Sequence, residues 1–147
     1  MPEFLDVHGE TNKAVRALAD AAMRRHGLHL GQDHLLAALW ARDGQTPGEL
    51  AAGAGVSTPA VVKMADRLSA AGLIRRTRDE RDSRLVRLWL TESGRALQGP
   101  VEEERRRLDE ALTAELGPGE KERLVAALRT VRARALALRE RDRDADG

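Results

Sequence analysis

The sequence predicts a mainly α-helical protein that carries one small β-hairpin. Apolar residues recur at helical spacing along most of the chain, whereas two short stretches near its middle alternate between polar and apolar residues. Apolar residues make up 41% and charged residues 33% of the 147 positions, which is typical of a globular protein with one hydrophobic core. Because there is one Phe and no Tyr, we expect Ala and Leu to supply most of the packing.

Two helices are predicted in the first third of the chain. The first runs from about Thr11 to His26, and the glycines of "GLHLG" end it. The second lies in "QDHLLAALWA", whose leucines and Trp40 form a wide apolar stripe. The polar turn "RDGQ" separates these helices from the next pair.

Local signals are clearest for two short helices on either side of Gly55. In "TPGELAAGA", Thr46 is predicted to cap the first helix, and Glu49 can close a capping box onto it. The second helix opens near Ser57 and runs through "AVVKMADRLSAA" to a stop at Gly72. A tight turn at a glycine between two short helices is typical of a helix-turn-helix.

A hairpin is predicted directly after this helix pair. Its strands are "LIRRTR" and "SRLVRLWL", and the polar "DERD" between them forms the tip. The arginines would project from the exposed tip. Four large apolar residues are expected to anchor the strands: Leu85, Leu88, Trp89 and Leu90.

The C-terminal third is predicted to be helical. Thr91 caps a long charged helix, which Pro100 would bend because proline lacks a backbone donor. The charged tail 141–147 is expected to be disordered. Before that tail, a last helix places five apolar residues at coiled-coil-like spacing: Leu124, Leu128, Val131, Ala135 and Leu138.

Positive charge is concentrated in the segment that holds the second short helix and the hairpin. Residues 56–90 carry eight basic and four acidic side chains, a balance of +4, whereas the whole chain has a net charge of +1. A local basic surface is what a polyphosphate partner selects. A helix-turn-helix followed by such a wing reads double-stranded DNA with the second helix in the major groove and wing arginines in a minor groove. Two alternatives remain open. For the helix pair, the alternative is an ordinary helical hairpin in the core, and for the arginines it is a solvated basic hairpin.

The segment Gly48–Leu97 reads "GELAAGAGVSTPAVVKMADRLSAAGLIRRTRDERDSRLVRLWLTESGRAL". Its run from "AAGLIRR" through "RDSR" to "LTESG" is the most specific part. The segment resembles the MarR (multiple antibiotic resistance regulator) family of winged-helix transcription factors, and the order of helices matches over nearly the whole chain. The resemblance implies a winged helix-turn-helix with N- and C-terminal dimerisation helices, in a homodimeric, ligand-responsive regulator. In this family such a regulator is more often a repressor.

The resemblance also implies roles for individual residues. Arg84 matches the wing arginine that enters the minor groove, and Asp82 matches the acid that orients it. Arg78 and Arg81 are expected to contact phosphates, and Thr46 begins a helix whose backbone amides would meet another phosphate. On the second helix of the pair, six positions would face DNA: Ser57, Thr58, Pro59, Ala60, Val62 and Lys63.

That second helix departs from the family at Pro59, Ala60 and Val62, because many relatives have Ser or Thr there. Fewer hydrogen-bonding groups would then reach base edges. We expect readout to depend on thymine methyl contacts, on Lys63 and on groove shape.

Dimerisation is also predicted from the residues themselves. The terminal helices carry apolar stripes that an isolated winged-helix unit of this size could not bury. Pairing two chains would cover the stripes and set two recognition helices roughly 34–36 Å apart, which matches a palindromic operator. The alternative is a helical cap within one chain.

Weaker signals concern small ligands. The stretch "HGLHLGQDH" has histidines at metal-like spacing, but it crosses a glycine-broken loop and the chain has no Cys, so neither a metal nor a cofactor is predicted. The resemblance implies a small, often anionic aromatic effector between the dimer helices and the DNA-binding lobe. Arg16, His34 and Trp40 are weak candidates to line that pocket, and a core role is favoured for Trp40.

The predicted organisation has four parts: a dimerisation helix at 1–30, a winged helix-turn-helix lobe at 31–91, dimerisation helices at 92–140 and the tail at 141–147. An enzyme is not expected, because there is no phosphate-cradling Gly loop, no nucleophile–base pair at a recognisable spacing and no thiol. No run approaches the roughly 18–20 apolar residues that cross a membrane, which favours a cytoplasmic protein. The competing interpretations are a non-specific architectural DNA-binding protein and a winged-helix module for protein interaction.

Overall fold

The computed structural model describes residues 3–29 and 31–147. Met1, Pro2 and Leu30, which fall in the predicted N-terminal domain 1–30, lie outside the described residues. The described chain is mainly helical with one hairpin, so the predicted fold class is confirmed. Its elements in chain order are α1 (Glu3–Arg24), α2 (Gln32–Ala41), α3 (Pro47–Ala54), α4 (Thr58–Ala70), β1 (Ile74–Arg78), β2 (Val86–Leu90), α5 (Glu92–Ala96), α6 (Gln98–Thr113) and α7 (Glu120–Asp146).

The chain divides into two compact units, Met1–Leu108 and Asp109–Gly147. The first unit contains the buried apolar cluster, whereas no residue of α7 in the second unit is buried in the single chain. None of the helices described is long and apolar enough to span a bilayer.

The core of the first unit is aliphatic, as the scarcity of aromatic residues predicts. Trp40 lies at its edge, where its ring packs on the cluster and its Nε1 donates a hydrogen bond to the Gly94 carbonyl at 2.9 Å. The largest fully buried side chains are Leu28, Leu36, Leu39, Val61, Leu68, Leu88 and Val101.

Helix α1 begins earlier than the sequence pattern predicts. It starts at Glu3 rather than near Thr11, and its first turn holds two acidic residues that interact favourably with the positive end of the helix dipole. Phe4 and Leu5 of this added segment are exposed, and the buried residues of α1 are Ala22 and Met23. The early turns of α1 therefore lack the periodic burial that would have marked them in the sequence.

The C-terminal helices also differ in detail from the prediction. Instead of a bend at Pro100, the chain breaks at Leu97 between α5 and α6. Pro100 then lies in the first turn of α6, where a missing N–H has no intrahelical partner to lose. In the tail 141–147, for which the sequence predicts disorder, α7 continues to Asp146, and Arg and Ala in this stretch are good helix formers.

The hairpin pairs β1 with β2 in antiparallel register, with Ile74 opposite Leu90 and Arg78 opposite Val86. Leu88 and Leu90 are buried, and Trp89 is half-buried with its Nε1 donating to the Thr77 hydroxyl at 2.9 Å. Three of the four predicted anchors therefore pack as expected. The prediction for Leu85 is wrong, because this residue precedes β2 and its side chain is 41% exposed.

The outer edge of β2 is occupied by the loop between α2 and α3. The amide of Leu88 donates to the Gln45 carbonyl at 2.9 Å, and the amide of Leu90 donates to Oδ1 of Asp43 at 2.9 Å. Gly44, between these residues, has a φ of 72° and lies so close to Trp89 that an added Cβ would be 2.5 Å from the ring. This loop attaches the hairpin to the helices that precede it.

Candidate nucleic-acid interface

The turn between α3 and α4 has the geometry that the sequence predicts. Gly55 adopts the left-handed conformation with a φ of 67°, and the amide of Val56 donates to the Ala51 carbonyl at 3.2 Å. Nothing lies within 4 Å of a Cβ built on Gly55, so its conformation and not its size requires a glycine there. The turn sets the angle between the two short helices.

The N-terminus of α3 is capped, but the predicted capping box is only half formed. The Thr46 hydroxyl accepts the amide of Glu49 at 3.1 Å, while the Glu49 carboxylate accepts Nη2 of Arg42 at 2.9 Å. Thr46 is buried with 8% exposure and its hydroxyl is already engaged. Since Pro47 has no N–H and the Glu49 amide is bonded to Thr46, the remaining amide of this first turn belongs to Gly48, an exposed residue.

Helix α4 has one buried and one exposed face. The buried face consists of Val61, Ala65 and Leu68, each 1% exposed. The Ser57 hydroxyl caps the helix by accepting the amide of Ala60 at 3.3 Å. All six positions predicted to face DNA are exposed: Ser57, Thr58, Pro59, Ala60, Val62 and Lys63.

The exposed face of α4 is chemically sparse. The Val62 side chain is 41% exposed, and Lys63 supplies a flexible cation beside it. Arg67 is exposed one turn beyond Lys63, which places a second cation on the same face. Sequence reasoning missed Arg67 because it falls outside the positions that the family resemblance marks, although its spacing from Lys63 could have indicated it.

The wing is joined to α4 by an ion pair between Asp66 of the helix and Arg76 of β1. Both side chains are partly exposed. The pair connects the last turns of α4 to the strand that starts the hairpin, so the two surfaces predicted to meet DNA are held to each other directly.

At the wing tip, the Asp82 carboxylate binds Arg84 through both oxygens. Oδ1 accepts Nε of Arg84 at 3.0 Å, and Oδ2 accepts Nη2 at 3.1 Å. Oδ1 also accepts the Arg84 amide at 3.1 Å. The Arg84 side chain is nevertheless 88% exposed, so its guanidinium is held in one direction while remaining accessible.

The other two wing arginines predicted to bind DNA are also exposed. Arg78 donates through Nη1 to the Ser83 carbonyl at 2.7 Å and so spans the tip. Arg81 donates its amide to Oδ2 of Asp79 at 3.1 Å. The structure thus brings Arg78 at the end of β1 together with Arg81, Asp82 and Arg84 of the loop that follows.

Two residues of the wing were not predicted from the sequence. Arg87 donates through Nε to Oδ1 of Asp79 at 2.6 Å and through Nη1 to the Gly44 carbonyl at 2.9 Å. Asp79 also accepts the amide of Asp82 at 2.9 Å. The sequence pattern alone marks Arg87 only as a polar residue of an alternating strand.

These contacts lower the pKa of both aspartates at the wing tip. The hydrogen bond from Arg87 is the main cause that lowers the pKa of Asp79, and the bond from Arg84 is the main cause that lowers the pKa of Asp82. The same bonds raise the pKa of Arg84 and of Arg87. Both acids are therefore ionised at neutral pH, as expected for carboxylates among arginines, which fits an electrostatic role and not proton transfer.

The weak candidates for an effector pocket are not linked to each other. Among the described residues, no hydrogen bond, ion pair or ring contact joins Arg16, His34 and Trp40. Arg16 and His34 are exposed, whereas Trp40 packs on the core, the role favoured for it from the sequence. Residues 3–29 and 31–147 also contain no group of three or more His, Asp or Glu placed to hold a metal ion.

The pair α3–α4, with the β1–β2 hairpin directly after it, defines a winged helix-turn-helix protein. A family model described as the MarR family matches residues 28–86. Over this segment the chain is similar to the MarR family, and the fold agrees with that likeness.

One relative supports the same family likeness. The HTH-type transcriptional regulator TtmR of Methylorubrum extorquens (strain PA1) is 31% identical over 80 residues, which cover 54% of this chain and 41% of TtmR. The match therefore spans less than half the length of that relative.

Two solved structures have the same fold. A mutant MarR from E. coli complexed with operator DNA superposes with a TM-score of 0.81 at 24% identity, over 88% of this chain and 94% of that chain. The S. aureus MepR–DNA complex superposes with a TM-score of 0.80 at 24% identity, over 90% and 97% of the two chains. These likenesses confirm the winged-helix architecture.

Proposed function

We propose that the protein is a sequence-specific, DNA-binding regulator of transcription that acts in the cytoplasm. Helix α4 enters the major groove of an operator, and Arg84 at the wing tip enters the adjacent minor groove. The observation that best supports this is the Asp82–Arg84 pair, a guanidinium that is 88% exposed and yet bound by both oxygens of a carboxylate. An ion pair at a solvent-exposed tip contributes little to the stability of the fold, so a role in binding accounts for it better.

The relatives support the same function. TtmR is named a transcriptional regulator, and the E. coli MarR and S. aureus MepR structures were both solved with DNA. We extend that partner to this chain because its exposed α4 face and wing arginines supply a basic surface within residues 56–90.

Within this interface, the contacts fall into two kinds. Arg78 and Arg81 neutralise phosphates, and the first turn of α3 adds a phosphate contact through the Gly48 amide beside the buried Thr46 cap. The bases are read by α4. Because Pro59, Ala60 and Val62 offer no side-chain donor or acceptor, readout depends on thymine methyl groups, on Lys63 and on groove shape.

The proposal includes a homodimer on a palindromic operator. In the unit Asp109–Gly147, α7 exposes a row of large apolar side chains: Leu124, Val125, Leu128, Val131, Leu136 and Leu138. In the other unit, α1 exposes Phe4, Leu5 and Val7. Apolar stripes of this length on charged helices are typical of surfaces that a second copy covers.

The dimer is tested with two glutamate substitutions on α7. Leu128→Glu places a charge in the apolar row and should shift the protein to monomer in sedimentation experiments. Thr130→Glu is the matched control, because it adds the same charge on the opposite side of the helix, where the Thr130 hydroxyl bonds only its own helix. A monomeric wild-type chain would contradict the dimer.

We also propose that a small aromatic or anionic effector binds the protein and releases it from the operator that it represses. Arg16 and His34 are its candidate anion contacts, and Trp40, which packs on the core, is a weak candidate to line the pocket. Titrating phenolic ligands into the protein–operator complex tests this, and release of the operator at saturating ligand is the expected result.

DNA binding itself is tested by selecting fragments from a random pool and footprinting the winner. A sharp footprint on a palindrome, with affinity that falls steeply with salt, is expected. An architectural DNA-binding protein would show the salt dependence without the footprint, and a winged-helix protein-interaction module would show neither.

A further inference from the structure

The carboxylate of Asp79 organises the wing tip. Its Oδ2 accepts the backbone N–H groups of Arg81 and Asp82 at 3.1 and 2.9 Å, and its Oδ1 accepts Nε of Arg87 at 2.6 Å. The Asp79 amide also donates to the Leu85 carbonyl at 2.9 Å and closes the loop. The Asp79 side chain is only 15% exposed, so its hydrogen bonds face the loop and not solvent.

Arg87 connects this carboxylate to the helices before the hairpin. Its Nη1 donates to the Gly44 carbonyl at 2.9 Å and lies 3.7 Å from Oε1 of Glu49. Gly44 belongs to the loop before α3, and Glu49 belongs to α3 itself. Arg87 therefore attaches the wing tip to the lobe that carries α4, and two of its guanidinium nitrogens are already used inside the protein.

The same chain of contacts reaches Arg84. Asp79 holds the amide of Asp82, and the Asp82 carboxylate accepts the amide, Nε and Nη2 of Arg84 at 3.1, 3.0 and 3.1 Å. The position of the exposed guanidinium thus depends on contacts that begin at the Gly44 carbonyl. We call Asp79, Asp82, Arg84 and Arg87 the tip network.

We propose that Asp79 and Arg87 are positioning residues for DNA binding, which set the place and direction of the Arg84 guanidinium through the tip network. Holding a long side chain in its docking direction reduces the rotamer entropy lost on binding. The inference rests on the proposed function, because it gives these residues a role only if Arg84 meets DNA.

One substitution separates positioning from simple charge. Asp79→Ala removes a negative charge near the DNA phosphates, so electrostatics alone predicts tighter binding. Loss of the tip network predicts weaker binding. Glu80 is the matched control, because it is the next residue of the same loop, is exposed, and has no side-chain partner within the described part of the chain.

Affinity for the selected operator is measured with the full chain at fixed salt. We expect Asp79→Ala to bind about tenfold more weakly, a loss within the range of one specific contact. Glu80→Ala should bind as tightly as the wild type or more tightly. If both variants bind more tightly, positioning is refuted.

Arg87→Lys supplies a second test that preserves charge. Lysine cannot donate in two fixed directions to the Asp79 carboxylate and the Gly44 carbonyl, so binding should weaken about as much as in Asp79→Ala. Undiminished binding would mean that Arg87 acts only as a cation and would overturn the inference.

A double substitution tests whether the effect passes through Arg84. In an Arg84→Ala background, Asp79→Ala should cause little further loss, because residues of one network are not additive. Fully additive losses would contradict the tip network as the route.

A measurement without DNA keeps this inference separate from the proposed function. In ¹⁵N relaxation experiments, the Arg84 Nε–H group should become more mobile in Asp79→Ala and stay unchanged in Glu80→Ala. An equally ordered Arg84 in Asp79→Ala refutes positioning whatever the DNA result. Absence of any operator for the wild-type chain refutes the proposed function, which the relaxation data alone cannot do.

Discussion

Helix α4 and the tip of the β1–β2 hairpin are neighbouring surfaces held in place by different forces. The buried face of α4 is apolar, with Val61, Ala65 and Leu68 each 1% exposed. The hairpin tip contains no buried side chain and is organised by carboxylates that accept backbone and guanidinium N–H groups. Apolar burial is not weakened by charge screening, whereas exposed ion pairs are. The two halves of the interface should therefore respond to different perturbations.

The largest effect is expected from a substitution on the buried face of α4. Leu68→Ala removes a fully buried side chain and should lower the free energy of unfolding by about 2–5 kcal/mol in urea titrations. Val62→Ala, on the exposed face of the same helix, should change stability by about 0.5 kcal/mol or less but relax base preference at one operator position. Equal losses of affinity for all sequences in Val62→Ala would show that Val62 reads no base.

A smaller effect is expected where the hairpin meets the α2–α3 loop. Gly44→Ala combines a positive φ with a Cβ placed 2.5 Å from Trp89, and should cost about 2–3 kcal/mol of stability by thermal unfolding. Gly55→Ala has a similar φ of 67° in open space and should cost only about 1–2 kcal/mol. Equal costs at both sites would mean that Trp89 moves aside freely.

At the wing, Arg84→Ala should cost about 1–3 kcal/mol of operator affinity with little change in stability. The loss should be greatest on operators whose flanks have a narrow, A·T-rich minor groove. Arg78→Ala is the comparison variant, and it should weaken binding evenly across sequences and reduce the salt slope by about 1. An Arg84→Ala affinity within error of wild type would reject the minor-groove contact.

The smallest effect is expected from pH. The folded-state pKa of Asp79 and of Asp82 is lowered below 3.8 by the arginines beside them. The stabilisation from these acids is therefore complete above their unfolded-state pKa and is lost as pH falls through the folded-state pKa. The stability difference between wild type and Asp79→Asn should be constant from pH 7 to about 5 and shrink at lower pH. A difference that grows on acidification would reverse the assigned sign.

The parts of the fold that the sequence predicts well are the local ones. The cap at Ser57, the turn at Gly55 and the stop at Gly72 each depend on a few adjacent residues, and all three are present in the structure. The start of α1 was not predicted, because its first turns bury nothing that a periodic pattern could reveal.

The candidate site was predicted only in part, for a related reason. The Asp82–Arg84 contact joins residues two positions apart and is visible in "RDSR", with the family resemblance to support it. The contact of Arg87 with the Gly44 carbonyl joins residues 43 positions apart. Nothing in the alternating pattern of β2 distinguishes a solvated arginine from one that donates to a distant loop.

The loop at Asp43–Gln45 also affects how the unbound protein associates with other molecules through the edges of its sheet. The amides of Leu88 and Leu90 lie on the edge of β2 that faces away from β1. They already donate to this loop, so that edge offers no hydrogen-bonding template to a strand from another molecule. The other side belongs to β1, whose arginines at positions 75, 76 and 78 repel a like strand. Both edges of the two-stranded sheet therefore carry features that disfavour edge-to-edge pairing.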